Sequence, residues 1–572
     1  MVRDSVGVIF GETGTLNFKF LISDSTAVFR GEYVKAWHET DGWVLAQVLS
    51  ITRSSDTYSF EKAKSGKRAD KNTDRIIAEA TVIGKRDSSG LLRAPLTPFS
   101  PGDPIYKADN DLICSVLGLE GNEMNIGVLD GTEIPVSLSV NSLVQKHCSI
   151  LAKTGSGKSY TAGVLLEELL DRNVPLLILD PHSEYASLKD KGSVKAAYQK
   201  KYDISPKGYG SKITVYTPAN KAINPAADEV FRLNGLNLTA KDIMAIFPNN
   251  FTSTHMGILY EAIQKIKAEM ETYSLDDIIF AVGEDESKAK WNVISVLEDI
   301  RDSDILSTSP TSIDELMQKG KAAIIDFKGV NPDMQSMIVA RLCNAMFEAR
   351  KMNQIPPGML VVEEAHNFAP EKGFSKTSSS EILRTIASEG RKFGLGMMVI
   401  SQRPARIDKN VLSQCGTQII MKVTNPNDLK SISKGLEGVN SYVEEELIRL
   451  PPGVAMLVSN DIERPILIDV RVRKSRHGGE SVNVMGNHAP KAAPKKKVKP
   501  KPEPEMKIKP EPKVKAKPEP IPKPEMKVPE PSVKEKTEQE PSAQSPPPRR
   551  VPSRPPKQEQ GGLFKKIFGA NK

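Results

Sequence analysis

The stretch that most constrains this chain is Ile150-Leu151-Ala152-Lys153-Thr154-Gly155-Ser156-Gly157-Lys158-Ser159-Tyr160-Thr161, an apolar run, a glycine-bearing turn and a helix start. Such a loop aims backbone amides and a helix N-terminus at an anion, so it cradles the phosphates of a nucleotide. Lys158 is placed for the outer phosphates and the Ser159 hydroxyl for magnesium, with Lys153, Thr154, Gly155, Ser156, Gly157 and Tyr160 completing the cradle. Ala152 stands where glycine commonly opens such a loop. The flanks supply the rest of the unit. His147 to Leu151 reads as a strand, and Ala162, Val164, Leu165, Leu166, Leu169 and Leu170 recur as one helix face. Val174 to Leu179 reads as a second strand, ending in Asp180, a further candidate for the metal shell.

The same alternation resumes later. Ala322 to Asp326, Met359 to Glu364, Gly396 to Gln402 and Thr417 to Lys422 read as buried strands, with helices over Pro332 to Met352 and Ser379 to Phe393. A mostly parallel α/β sheet covered on both faces follows, over an ATPase core of residues 146–484. Between about 224 and 316 the pattern is helical, as in His255 to Ile266 and Trp291 to Ile300, and marks an insertion. Residues 1–95 read as short strands punctuated by Gly7, Gly11, Gly31 and Gly42, which a small β-barrel would close. Residues 96–145 form a β-rich connector.

Composition narrows the partners. The net charge of +8 is concentrated at the C-terminus, where residues 491–572 hold 22 Lys and Arg against 10 Asp and Glu, leaving about −4 for residues 1–490. Any nucleic-acid contact of the folded part is therefore expected to be local, such as a lined channel. Residues 481–560 hold 20 of the 41 prolines, with near-repeats such as Pro504-Glu505-Met506-Lys507 and Pro524-Glu525-Met526-Lys527. That composition predicts a disordered linker over 485–560. The peptide 561–572 carries Leu563, Phe564, Ile567 and Phe568 on one face of a helical turn, suited to a partner's groove. No apolar run approaches the roughly 20 residues of a membrane span. The four scattered cysteines suit a reducing cytoplasm.

Hydrolysis needs a metal-shell acid and a group that orients the attacking water. Two strand ends compete. Asp326 ends one apolar run without a second carboxylate, whereas Glu363-Glu364 ends another and supplies both. Glu363 is assigned to the metal shell and Glu364 to the water, with Asp326 as the lesser candidate. Gln402 closes the next strand, placed for the terminal phosphate. Arg391, read as lying on the same side of the sheet, is suited to the charge of a transferred phosphoryl group. The loop Glu371 to Thr377 offers Lys372 and Lys376 to DNA phosphates but no sequence-reading signature.

Several further stretches accompany these. They are Val6-Gly7-Val8-Ile9-Phe10-Gly11-Glu12, Gln145-Lys146-His147 before the loop, Asp180-Pro181-His182-Ser183-Glu184-Tyr185, Glu363-Glu364-Ala365-His366, Gly390-Arg391-Lys392-Phe393-Gly394 and Ser401-Gln402-Arg403-Pro404. In this order over residues 1–480 the chain resembles the archaeal HerA DNA helicase-translocases, in the group that includes FtsK and the conjugation ATPases. The resemblance implies a homohexamer of RecA-like domains that binds ATP and magnesium between subunits and passes double-stranded DNA through its centre. It implies a NurA-type nuclease partner, recombinational repair proteins nearby, and a cytoplasmic, nucleoid-associated location. By the same resemblance Arg391 reaches a neighbour's ATP, Lys146 contacts nucleotide, and Lys474, His477 and Gly478 lie on a segment running toward an adjacent ATP. A ring ATPase that moves protein or assembles a secretion complex is the competing reading, favoured by the acidic body.

Overall fold

Alternation builds the N-terminal barrel. In Asn17–Ile22 every second side chain is buried, so Phe18, Phe20 and Ile22 point inward. Six antiparallel strands follow in the order Asn17–Ile22, Gly7–Ile9, Pro104–Lys107, Tyr33–His38, Gly42–Ser55 and Asp74–Arg86. The last pairs back onto the first, which leaves the barrel without a free edge. Phe18 and Phe99 pack at 5.0 Å between ring centroids inside it. The boundary expected at 95 is too early. Ile105 is fully buried, registers with Gly7 and Ala36, and fills the gap between their strands. A four-residue strand after proline has too little alternation to be assigned before its partners are known.

The connector is divided between two bodies. Met124–Leu129 and Pro135–Leu138 join the large sheet instead of the barrel. That sheet has twelve strands. Eight are parallel, in the order Glu229–Val230, Ile213–Thr217, Ala322–Asp326, Leu176–Asp180, Gly358–Val362, Leu395–Ser401, Cys148–Leu151 and Thr417–Ile420. An antiparallel flank of Val454–Ser459, Ile466–Val470, Met124–Leu129 and Pro135–Leu138 completes it. Period-two burial divides each central strand between two cores. Leu177, Leu179, Leu360 and Val362 enter one, with helix Pro332–Lys351 and the inserted helices, while Leu176, Ile178, Met359 and Val361 enter the other, with helix Lys158–Asp171. The expected two-faced α/β domain is the fold observed.

The insertion consists of helices Ala240–Ile246, Ser253–Glu269, Leu275–Gly283 and Lys290–Asp302, closed at its base by the strand pair Leu233–Asn234 and Leu306–Ser307. It begins after Val230, because Glu229–Val230 still belongs to the sheet. The computed structural model describes residues 4–23, 28–55, 58–66, 74–121, 123–246, 251–435 and 442–478, all within the unit Met1–Met485. The linker 485–560 and the peptide 561–572 lie outside the described residues. Among the described residues no helix is long and apolar enough to cross a membrane.

Candidate functional site

All the parallel strands deliver their C-terminal ends to one edge, where ligands of open α/β sheets bind. The loop from Ala152 to Gly157 leaves Cys148–Leu151 there and enters helix Lys158–Asp171. Gly157 caps the helix at φ 105°, and a Cβ on it would lie 3.1 Å from Met421 Cε, so glycine is required. Ala152 shows why the usual first glycine is dispensable: its backbone is in ordinary conformation, and its side chain is buried among apolar residues of the sheet. The loop is tied down by Lys153 N donating to Lys422 O at 2.8 Å and by Ser156 Oγ donating to Lys153 O.

Strand order decides between the competing acids. Gly358–Val362 lies two strands from Cys148–Leu151, whereas Ala322–Asp326 lies four away, about 10 Å further at the usual strand spacing. Lys158 Nζ accordingly donates to Glu363 Oε1 at 2.5 Å and to Glu364 Oε1 at 2.6 Å. Burial works against the Lys158 charge, but the two glutamates outweigh it and hold the ammonium above its usual pKa. Glu363 is fully buried, and Tyr185 donates its hydroxyl to Glu363 Oε2 at 2.5 Å. Glu364 sits in the left-handed region at φ 48°, which turns its side chain back to Lys158. Gln402 Oε1 accepts from Thr154 Oγ1, so the next strand end touches the loop.

The other acids do different work. Asp326 Oδ1 accepts from Ser183 Oγ at 2.7 Å and Lys328 N at 3.0 Å. Asp180 lies one strand from Glu363, and its oxygens accept from His182 N at 3.2 Å and Tyr185 N at 3.0 Å, so it holds the turn after its strand. Burial, with Asp326 and Glu363 nearby, pushes the Asp180 carboxyl up to about 7. Among the described residues no group of three metal-binding side chains stands together. Magnesium keeps most of its waters and takes one or two protein oxygens beside phosphates. Ser159 in the first helical turn and Glu363 are the residues here that fit it.

Three expectations change. Arg391 precedes Leu395–Ser401, so it lies at the N-terminal edge of the sheet, opposite the loop and not on its side. It is exposed, with no side-chain partner among the described residues. Lys146 shares that edge. It precedes Cys148–Leu151, and the intervening His147 donates from Nε2 to Ala387 O, 3.0 Å away, while a Cβ on Gly390 would meet His147 Cε1 at 3.6 Å. Lys474 is committed elsewhere, at 2.8 Å from Glu168 and 3.0 Å from Asp171, near the far end of the loop's own helix.

His477 approaches the start of the loop's helix in its own chain, and Gly478 packs against the turn after Leu176–Asp180. The His477 ring meets Tyr160 edge-on at 5.4 Å, and Gly478 meets Ser187. Sequence reasoning missed what anchors this segment. Arg471 is completely buried, with Nη1 at 2.9 Å from Glu167 and Nη2 at 2.8 Å from Glu168, and Arg473 N donates to the Tyr160 hydroxyl at 2.8 Å. Adjacent glutamates inside an otherwise apolar helix face are the one sequence signal of it. Lys372 and Lys376 are exposed on the loop that follows the glutamate pair, beside a cleft of about 540 Å³ lined by His182, His366, Phe374 and Arg406.

Residues 124–346 match the family model for the central domain of helicase HerA, and residues 6–88 match the HAS barrel domain. A protein named as a probable helicase of Methanocaldococcus jannaschii is 29% identical over 84% of this chain and 94% of its own length. The DNA double-strand break repair helicase HerA of Pyrococcus furiosus is 24% identical over 85% of this chain and 96% of its own length. Among solved structures, VirB4 of Thermoanaerobacter pseudethanolicus aligns at TM-score 0.46 and 15% identity over 61% of this chain and 97% of its own.

Proposed function

We propose that this chain, a HerA-type protein in both its N-terminal barrel and its central domain, is an ATP-driven motor on double-stranded DNA. The observation that carries the ATPase reading is Lys158 seated between Glu363 and Glu364, with Gln402 on the loop. Magnesium, when bound, neutralises phosphate charge. Lys158 and the helix amides hold the phosphates, Ser159 and Glu363 hold the metal, and Glu364 orients water and takes its proton, released from Lys158 when phosphate claims the ammonium.

Arg391 and Lys146 stand at the wrong edge for their own loop, which supports a ring in which each subunit offers that edge to its neighbour's ATP. We assign a homohexamer on this ground, with Lys372 and Lys376 facing the duplex and gripping it without reading sequence. A nuclease of the NurA type and other recombination proteins are the partners such a motor would feed during end resection in the cytoplasm. The net charge of about −4 over residues 1–490 keeps a protein-moving ring as the second reading.

The deciding experiment measures ATP turnover with and without duplex DNA at low salt. Glu364→Gln is expected to bind ATP and lose about 10²- to 10⁴-fold in turnover, the usual contribution of a positioned general base. Lys158→Ala is expected to lose binding-dependent turnover. Turnover of Glu364→Gln near the wild-type rate would refute the site, and a rate unmoved by duplex would favour the protein-moving ring.

A further inference from the structure

One nitrogen near the glutamate pair lies within reach of two oxygens. His366 Nδ1 lies 3.0 Å from Ser401 Oγ and 3.3 Å from Glu364 Oε2. Glu364 Oε2 is buried and receives no hydrogen bond, although Oε1 is held by Lys158. A buried carboxylate oxygen without a donor is costly and persists where something else is to satisfy it. Ser401 Oγ already accepts from Arg403 N at 2.9 Å, so its own proton is free to go to His366 Nδ1.

The ring therefore has two arrangements. When Ser401 donates to Nδ1, the nitrogen's one lone pair is taken and it has no proton to give, which leaves Oε2 alone. When Nδ1 carries the proton, it donates to Glu364 and fixes the carboxylate's orientation. His366 is only partly covered, with 14% of its side chain exposed, and it borders the cleft that Phe374, Lys376 and Arg406 also line. Its far side is thus open to whatever those cations bind, while its near side touches the glutamate.

We infer that His366 is a positioning residue that couples occupancy of the cleft to the orientation of Glu364, by moving its Nδ1 hydrogen bond from Ser401 to Glu364. This rests on the reading of Glu364 as the water-orienting group. The cleft ligand is a nucleic-acid phosphate, matched by Lys376 and Arg406, and its arrival favours the Glu364-bonded arrangement. The step takes up one proton from solvent: an N–H bond forms at Nδ1, the hydrogen bond from Ser401 breaks, one to Glu364 forms, and the phosphate in the cleft balances the imidazolium charge. Nothing in it requires His366 to touch nucleotide, so its loss separates turnover from binding.

The test compares four full-length variants with the wild type by ATP turnover with and without a blunt duplex, and by affinity for a fluorescent ATP analogue. His366→Ala is expected to lose at least tenfold in duplex-stimulated kcat, with analogue affinity within twofold of wild type. His366→Asn keeps a donor near the Nδ1 position and is expected to recover most of that loss. Ser401→Ala removes the competing partner and is expected to raise duplex-independent turnover toward the stimulated rate. Glu364→Gln is the premise control. An inactive Glu364→Gln beside a fully stimulated His366→Ala overturns the inference alone, whereas an active Glu364→Gln removes the glutamate reading and the inference with it. A His366→Ala loss that Asn does not restore and that comes with equal loss of analogue affinity also overturns it. Should His366→Ala fail to fold, an unchanged ratio of stimulated to basal rate in Ser401→Ala overturns it independently.

Discussion

Arg471→Met removes a guanidinium that is 0% exposed and bonded to Glu167, Glu168 and the carbonyls of Asn125 and Val472, each at 2.8–2.9 Å. Methionine fills much of the volume, so the loss is electrostatic. Glu168 retains Arg172 at 2.6 Å and Lys474 at 2.8 Å. Glu167 is left with neutral donors from Lys474 and Ser475 and with Arg473 at 3.7 Å, a buried carboxylate without a close cation. One-sided removal from a buried pair costs about 3–5 kcal/mol. At 1.4 kcal/mol per tenfold, amide protection in helix Lys158–Asp171 and in residues 471–478 should fall by about 10²- to 4 × 10³-fold, read by hydrogen exchange and mass spectrometry. Arg172→Met is the control on the same acceptor. Its side chain is 28% exposed, and a partly solvated i,i+4 pair contributes about 0.3–0.5 kcal/mol, so protection should change by less than about threefold. Equal effects from the two variants, or protection within threefold of wild type in Arg471→Met, would refute the argument that burial decides which of these pairs anchors the C-terminal segment.

Three other outcomes are expected. Mixing Arg391→Ala with Glu364→Gln subunits should restore some turnover at intermediate ratios, since an intact loop can then face an intact arginine; no restoration at any ratio would count against a shared site. Gly157→Ala should weaken ATP binding roughly tenfold by titration, because a left-handed alanine costs about 1–2 kcal/mol and its Cβ would crowd Met421 at 3.1 Å; unchanged affinity would show that the loop tolerates the strain. The Asp180 carboxyl, raised to about 7, binds its proton more tightly folded than unfolded, so its contribution to stability is present below the ordinary carboxylate range and declines as pH rises toward 7. His147 and His366, lowered chiefly by burial, act in the opposite direction up to the ordinary histidine range. The difference in urea midpoint between wild type and Asp180→Asn should therefore shrink between pH 5 and pH 7.5, and a constant difference would refute the assignment.

The candidate site was legible where chemistry is local. A phosphate loop is contiguous, strand ends are marked by a carboxylate or amide after an apolar run, and Lys158, Ser159, Glu363, Glu364 and Gln402 could all be named from such runs. Arg391 is suggested by its charge and Lys146 only by the family resemblance, yet the edge they occupy depends on the chain crossing the sheet between one strand end and the next strand start. The barrel was legible from alternation in strands such as Asn17–Ile22, but Pro104–Lys107 was too short to show any.

By itself, then, the amino-acid order determined the two-faced α/β domain, the barrel, the inserted helices and the phosphate loop, because each follows from periodicity over neighbouring residues. Tertiary structure alone decided that Glu363 and not Asp326 meets Lys158, since hydrogen bonds between distant segments set strand order. It decided that Arg471 is buried against Glu167 and Glu168, which lie more than 300 positions away in the chain. It also placed His366 between Ser401 and Glu364, a contact set by the pairing of Gly358–Val362 with Leu395–Ser401 and invisible to any window of sequence.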